Sequence, residues 1–317
     1  MIAPGYARDQ LKTSVSRLPA KSASIIFRQT GAGIHSIEEE EEAGLNTQRF
    51  RVQFGAVLMI LAGGTTALFA QYLGYPTAGV PKGPDGKPNM AAPAPRTSDG
   101  HPDFTGMYGW VTRANCGAKC NDTQIPAEFI NIASSLKGRA LPLKPEALAI
   151  QRARAAEQGS DPNVHCMPRG APRLWTDDYY KRIIQTPEKL VLLNERNMQW
   201  RQIFLDGRPL PVDPNPSWNG YSTGHWEKDT LVIETIGFKD DLWLDANGNP
   251  LTNAGKMTER ITRPTYGLMK VEITIDDPKS YTMPWTVTID QPLVLDSELL
   301  DYYCLENEKD FIHMSGR

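Results

Sequence analysis

The stretch "STGHWEKDTLVIET", residues 222–235, brings His225, Glu227, Asp229 and Glu234 close together. An imidazole beside a carboxylate is the minimal equipment for oriented acid–base catalysis. Whether these groups meet depends on the element that carries them. A two-residue loop at Lys228 and Asp229 would pair Glu227 with Thr230, Trp226 with Leu231, His225 with Val232 and Gly224 with Ile233. Alternation then puts Trp226, Leu231 and Ile233 on one face, and His225, Glu227, Thr230 and Glu234 on the other. Asp229 belongs to the turn. The expected reading is an amphipathic hairpin with His225 on its solvated side. The alternative turns the polar face into a barrel lumen, where His225 with Glu227 or Glu234 acts as acid or base. The sequence does not show which face points inward.

Other residues invite the same weighing. Trp200, Trp226 and Trp285 fall in predicted strands, where large aromatics fill a core or line a ligand site. Arg201, Glu259 and Arg260 sit mid-strand, which fits a buried ion pair or an exposed ladder better than an anion site. A binding reading groups Trp200, Arg201, Trp226, Leu231, Ile233 and Trp285 around one ligand. "HCMPRGAPR" sets His165 beside Cys166, but adjacent residues in extended chain point apart, so a Cys–His nucleophile is disfavoured. "CGAKC", with Cys116 and Cys120, lacks a second ligand pair at zinc-like spacing. No nucleophile elbow, zinc-protease helix, P-loop or dinucleotide fingerprint occurs. Neither a metal nor a cofactor is expected.

The chain has 317 residues with 34 Lys plus Arg against 37 Asp plus Glu, and no basic stripe with interleaved aromatics. Nucleic acid is therefore not an expected partner. Residues 1–48 lack apolar periodicity and contain the like-charge run "IEEEEE", which predicts disorder or a start codon assigned too far upstream. Residues 49–70 place Arg49 and Arg51 ahead of an apolar run that ends in small residues, the layout of a signal peptide. An uncleaved membrane anchor is the competing reading, and would be the only membrane contact.

Four cysteines follow, an even number in a chain read as exported to a periplasmic or extracellular space. Three pairings are open. The expected one closes Cys116 to Cys120 locally and staples Cys166 to Cys304.

Residues 71–102 read as a Pro/Gly-rich arm in which "GPDGKP" and "SDGHP" repeat a turn unit that returns as "LDGRP" at Leu205–Pro209. One helix is predicted, over Lys144–Gly159, with Pro145 in its first turn. Beyond Tyr179 the period is two, and eight to ten strands are expected, counting "GMYGWV" and the "DYYC" region. The predicted fold over residues 103–317 is mainly β: an antiparallel barrel or sandwich with one helix.

Together "GVPKGPDGKPNMAAPAPRTSDGHPDFTGMYG", "DPNVHCMPRGAPR", "GHWEKDTLVIET", "DDPKSYTMPWTV" and "YYCLENE" resemble a family of exported, largely uncharacterised proteins of soil bacteria. That family usually has Gly where this chain has Lys228. It implies no particular reaction. "DFTGMYGW" is similar to the opening strand of lipocalins and other calycins, which implies an antiparallel barrel holding a small apolar or amphipathic ligand. The leading expectation is an exported small-molecule binding protein. An extracytoplasmic hydrolase or isomerase, and a structural envelope-associated protein, are the alternatives.

Overall fold

The computed structural model describes residues 75–110, 126–240 and 242–304. The chain divides into Met1–Leu68 and Phe69–Arg317, and every described residue belongs to the second unit. The predicted signal segment and the Cys116–Cys120 pair lie outside the described residues.

The strands are β1 (Gly106–Tyr108), β2 (Lys181–Gln185), β3 (Lys189–Asn194), β4 (Gln199–Phe204), β5 (Tyr221–Glu227), β6 (Thr230–Ile236), β7 (Leu242–Trp243), β8 (Pro250–Leu251), β9 (Lys256–Thr265), β10 (Leu268–Asp276) and β11 (Trp285–Val294). Nine of them close a barrel in the order β1-β11-β10-β9-β6-β5-β4-β3-β2, while β7 and β8 form a separate ribbon. All wall pairings are antiparallel except β4 with β5, which run parallel and share a single bridge, Phe204 with Thr223. The fully antiparallel barrel expected from the sequence is thus a mixed one. Its cause is the connection "LDGRPLPVDPNPSWNG", residues 205–220, which brings the chain back to start β5 beside β4 instead of turning tightly.

Period-two burial shows what the barrel encloses. Ile183, Leu190, Leu192, Ile203, Leu231, Ile233, Met257, Ile261, Val271 and Ile273 are inaccessible and packed into one core. The lumen is filled by side chains, as a barrel of this strand number permits. The 222–235 hairpin has the expected register, from Tyr221 with Ile236 to Glu227 with Thr230. Its Trp226, Leu231 and Ile233 face joins the core, and His225 faces out. Lys228 takes the turn at φ 56° despite carrying a Cβ.

The helix predicted over Lys144–Gly159 spans Pro145–Ala156, and it is not alone: Ala127–Ile130 and Ala171–Thr176 are also helical. In chain order these are α1 (Ala127–Ile130), α2 (Pro145–Ala156) and α3 (Ala171–Thr176). All six residues of α3 are buried, and the indole N–H of Trp175 donates to Glu259 inside the barrel. A helix this short gives no periodic signal, which is why the sequence reading passes over it. The "DYYC" region forms no strand. Instead Cys304 is bonded to Cys166, Cα to Cα 5.6 Å, across 138 residues, so the disulfide ties the chain after β11 to the loop before α3.

The arm's repeat is structural as well as sequential. Each unit closes with a bridge, Lys82 with Pro88 and Arg96 with Pro102, and with matching hydrogen bonds: Gly86 N–H to Gly83 O, Gly100 N–H to Thr97 O. The second unit docks on the hairpin. Arg96 grips Asp229 through two bonds of 2.9 and 2.7 Å, and His101 stacks on Trp226 with ring centroids 4.3 Å apart. Phe104 stacks on the same indole at 5.7 Å.

Candidate functional site

The parallel pairing leaves the wall unlaced. Where β4 and β5 share only one bridge, a cleft of about 460 Å³ opens between Asn197–Gln202 and Ser217–Gly220, with Pro168 at its side. Pro209, Pro211, Pro214 and Pro216, in the connection, have no N–H to give to a ladder, so the chain approaching β5 does not zip onto β4. Across the gap Asn219 Nδ2 donates to Trp200 O at 2.9 Å.

The rim is apolar. Alternation along β4 turns Trp200 outward, where 59% of it is exposed, and Met198 is exposed beside it. Trp218, half-buried, lies on the opposite lip, with the Lys239 ammonium 5.1 Å from its ring centroid.

The floor is polar and buried. Arg201 points inward and is 1% exposed. It forms a two-pronged ion pair with Glu259 at 2.7 and 2.5 Å, and also donates to Ser222 Oγ and Thr235 Oγ1 at 3.1 and 2.9 Å. β5 and β6 separate β4 from β9 in the wall, so this ion pair spans the interior. The cleft also holds buried amide atoms that have no hydrogen-bond partner among the described residues: Gln199 Nε2, both amide atoms of Asn197, and Asn219 Oδ1. Gln199 Oε1 is held by the Arg169 N–H at 3.2 Å, which leaves the amino end of that amide without a partner.

Gln199 continues a row into the protein. It pairs across strands with Asn194, and Asn194 with Lys181, all on the inner face and all buried. Asn194 Nδ2 and Lys181 Nζ also lack partners. Around them is a charged cluster. Asp177 receives a bond from Arg169, and Arg169 reaches Asp178 at 3.4 Å. The two Glu195 oxygens accept the Tyr180 and Leu300 N–H groups at 3.2 and 3.0 Å. Burial lowers the Lys181 pKa to about 8, although Asp177, Asp178 and Glu195 pull it up. Burial raises Asp177 to about 6 and lowers Arg169 to about 10.

The residues singled out in the sequence divide by location. Trp200 and Arg201 line the seam cleft. Leu231 and Ile233 are core. Trp226 lies under His101 and Phe104, and Trp285 is buried edge-on against Tyr281, centroids 5.5 Å apart. His225, Glu227 and Glu234 sit on the outer wall. His225 Nε2 is 3.6 Å from Glu227, Arg260 binds the other Glu227 oxygen at 2.9 Å, and Lys256 engages Glu234. The bond from Arg260 holds the Glu227 carboxyl below its ordinary range. Sequence reasoning missed Gln199, Trp218, Asn219 and Lys181. The prolines of "PLPVDPNPSW" between two strands were the available signal. Among the described residues, no group of three or more His, Cys, Asp or Glu is arranged to hold a metal.

No family model, curated protein or solved structure matches the chain. Fold and site together define a closed, internally packed β-barrel with a lateral cleft at its one parallel seam.

Proposed function

We propose that this is an exported binding protein for a small amphipathic molecule, held in the seam cleft rather than in the lumen. The observation that carries the reading is the pairing of an apolar rim, Met198, Trp200 and Trp218, with buried amide atoms that lack partners. Buried polar groups are normally satisfied, and leaving one unsatisfied costs about 1–3 kcal/mol. A ligand that brings hydrogen-bonding groups to Asn197, Gln199 and Asn219 recovers that cost, and its apolar body covers the two indoles. The Cys166–Cys304 disulfide supports the exported part of the reading, because such bonds persist in oxidising compartments.

Titration of the protein with phenylalkyl alcohols, followed by quenching of tryptophan fluorescence, tests the proposal. Trp200→Ala and Trp218→Ala should each weaken binding about tenfold, and His225→Ala should leave it unchanged. Binding that survives both indole replacements and is lost with His225→Ala would move the site to the outer wall and favour acid–base chemistry there.

A further inference from the structure

Resting on the seam-cleft reading, we propose that its ligand carries a carboxylate head group, and that the row Gln199, Asn194 and Lys181 receives it. These three side chains stand opposite one another on β4, β3 and β2, the closest cross-strand positions a sheet offers. Each is more than nine-tenths buried, and each ends in a nitrogen without a partner among the described residues: Gln199 Nε2, Asn194 Nδ2 and Lys181 Nζ. Gln199 is where the row meets the cleft.

The surrounding carboxylates do not satisfy these donors. Asp177 Oδ1 is taken by Arg169, Asp178 meets the same guanidinium, and both Glu195 oxygens bind backbone N–H groups. Asp177 Oδ2 has no partner, and none of these carboxylates reaches Gln199 Nε2, Asn194 Nδ2 or Lys181 Nζ. Three unpartnered donors in one row suit a group that only accepts. An ionised carboxylate offers two oxygens and no proton, whereas an alcohol adds a donor of its own. Among the described residues the Lys181 ammonium makes no direct ion pair; Asp177, Asp178 and Glu195 act on it only without contact, and a direct bond to a charged group is the stronger kind.

The test pairs phenylalkyl carboxylates with phenylalkyl alcohols of equal chain length, titrated into the full chain with its disulfide intact. Wild type should bind the acid about tenfold or more tightly than its alcohol. Lys181→Met, close in shape and uncharged, should weaken the acid about tenfold and so erase that preference. Gln199→Leu should reduce the preference in the same direction. Trp200→Ala should weaken both ligands alike and leave their ratio intact. Equal affinity of acid and alcohol for wild type would overturn the head-group assignment and leave the cleft reading standing. A preference that persists in Lys181→Met would overturn it too. If no member of either series binds wild type, the cleft reading fails and this inference with it.

Discussion

Replacing Glu259 by Leu should unfold the protein more readily than any comparable change on the outer wall. Glu259 is wholly buried and accepts from Trp175 Nε1 and from both Arg201 Nη atoms. Leu at this position leaves the guanidinium with only the hydroxyls of Ser222 and Thr235, far from water. Removing one partner of a buried pair costs about 3–5 kcal/mol, because the remaining charge is desolvated without compensation. The stranded Trp175 N–H adds about 1 kcal/mol or more. The expected loss is therefore about 5 kcal/mol, a large part of the stability of most single domains. Arg201→Met with Glu259→Leu removes both charges and should be within about 2 kcal/mol of wild type, since an apolar replacement of a whole buried pair is often neutral. Urea unfolding followed by circular dichroism and fluorescence measures all three, and the double-mutant cycle isolates the coupling. A Glu259→Leu loss below about 1 kcal/mol, or a double variant as unstable as the sum of the single ones, would refute the reasoning.

Two further outcomes follow from backbone and burial. Lys228→Gly should raise stability by about 1 kcal/mol, because a residue with a Cβ at φ 56° bears left-handed strain that Gly does not; thermal unfolding reads it. Asp177 and Lys181 should shape stability in opposite pH windows. The Asp177 carboxyl is raised from 3.8 to about 6 in the fold, so its contribution is complete below the unfolded value and is lost as pH climbs through 6. Lys181 is lowered from 10.5 to about 8, so its contribution is complete above the unfolded value and is lost as pH falls through 8. Arg169, Asp178 and Arg196 act on the first group, and Asp177, Asp178 and Glu195 on the second. The thermal midpoint of Lys181→Met relative to wild type should thus change mainly on the alkaline side, and that of Asp177→Asn mainly on the acid side. Parallel profiles for variant and wild type would contradict both assignments.

The hairpin at 222–235 was legible to the residue because its information is local: a two-residue loop and a clean alternation leave one register. Which face points inward was not legible, since that depends on strands paired elsewhere. β4 shows the same limit more sharply. In "QWRQIF" hydrophobicity alone would bury Trp200 and expose Arg201, yet the structure exposes Trp200 and buries Arg201. The partner that makes a buried arginine tolerable, Glu259, lies 58 residues downstream. No window over β4 contains it. The arm was readable as repeated turns, but its docking depends on contacts over long separations, such as Arg96 with Asp229, 133 residues apart.

The cleft, the buried helix α3 and the ion pair depend on one another. A closed antiparallel barrel consumes every strand edge, so a lateral opening normally sacrifices ladder bonds. Here the chain returns through proline-rich segment 205–220 and never forms those bonds, so the opening costs nothing further. That leaves β4 laced along β3 but barely along β5, a strand free to peel away at Gln199–Gln202. Arg201 opposes it by anchoring the same strand to Glu259 on β9, and the buried Trp175 of α3 donates to the same carboxylate. The packed interior in turn supplies the anchor that keeps the wall cleft in shape. Loss of the anchor should therefore loosen the cleft before it unfolds the barrel. In Glu259→Leu, hydrogen exchange of the β4 amides should accelerate ahead of that of β9 and β10, which pair along an unbroken register from Lys270 with Thr262 to Asp276 with Lys256. Uniform acceleration across all strands would show that the ion pair supports the barrel as a whole and has no special bearing on the seam.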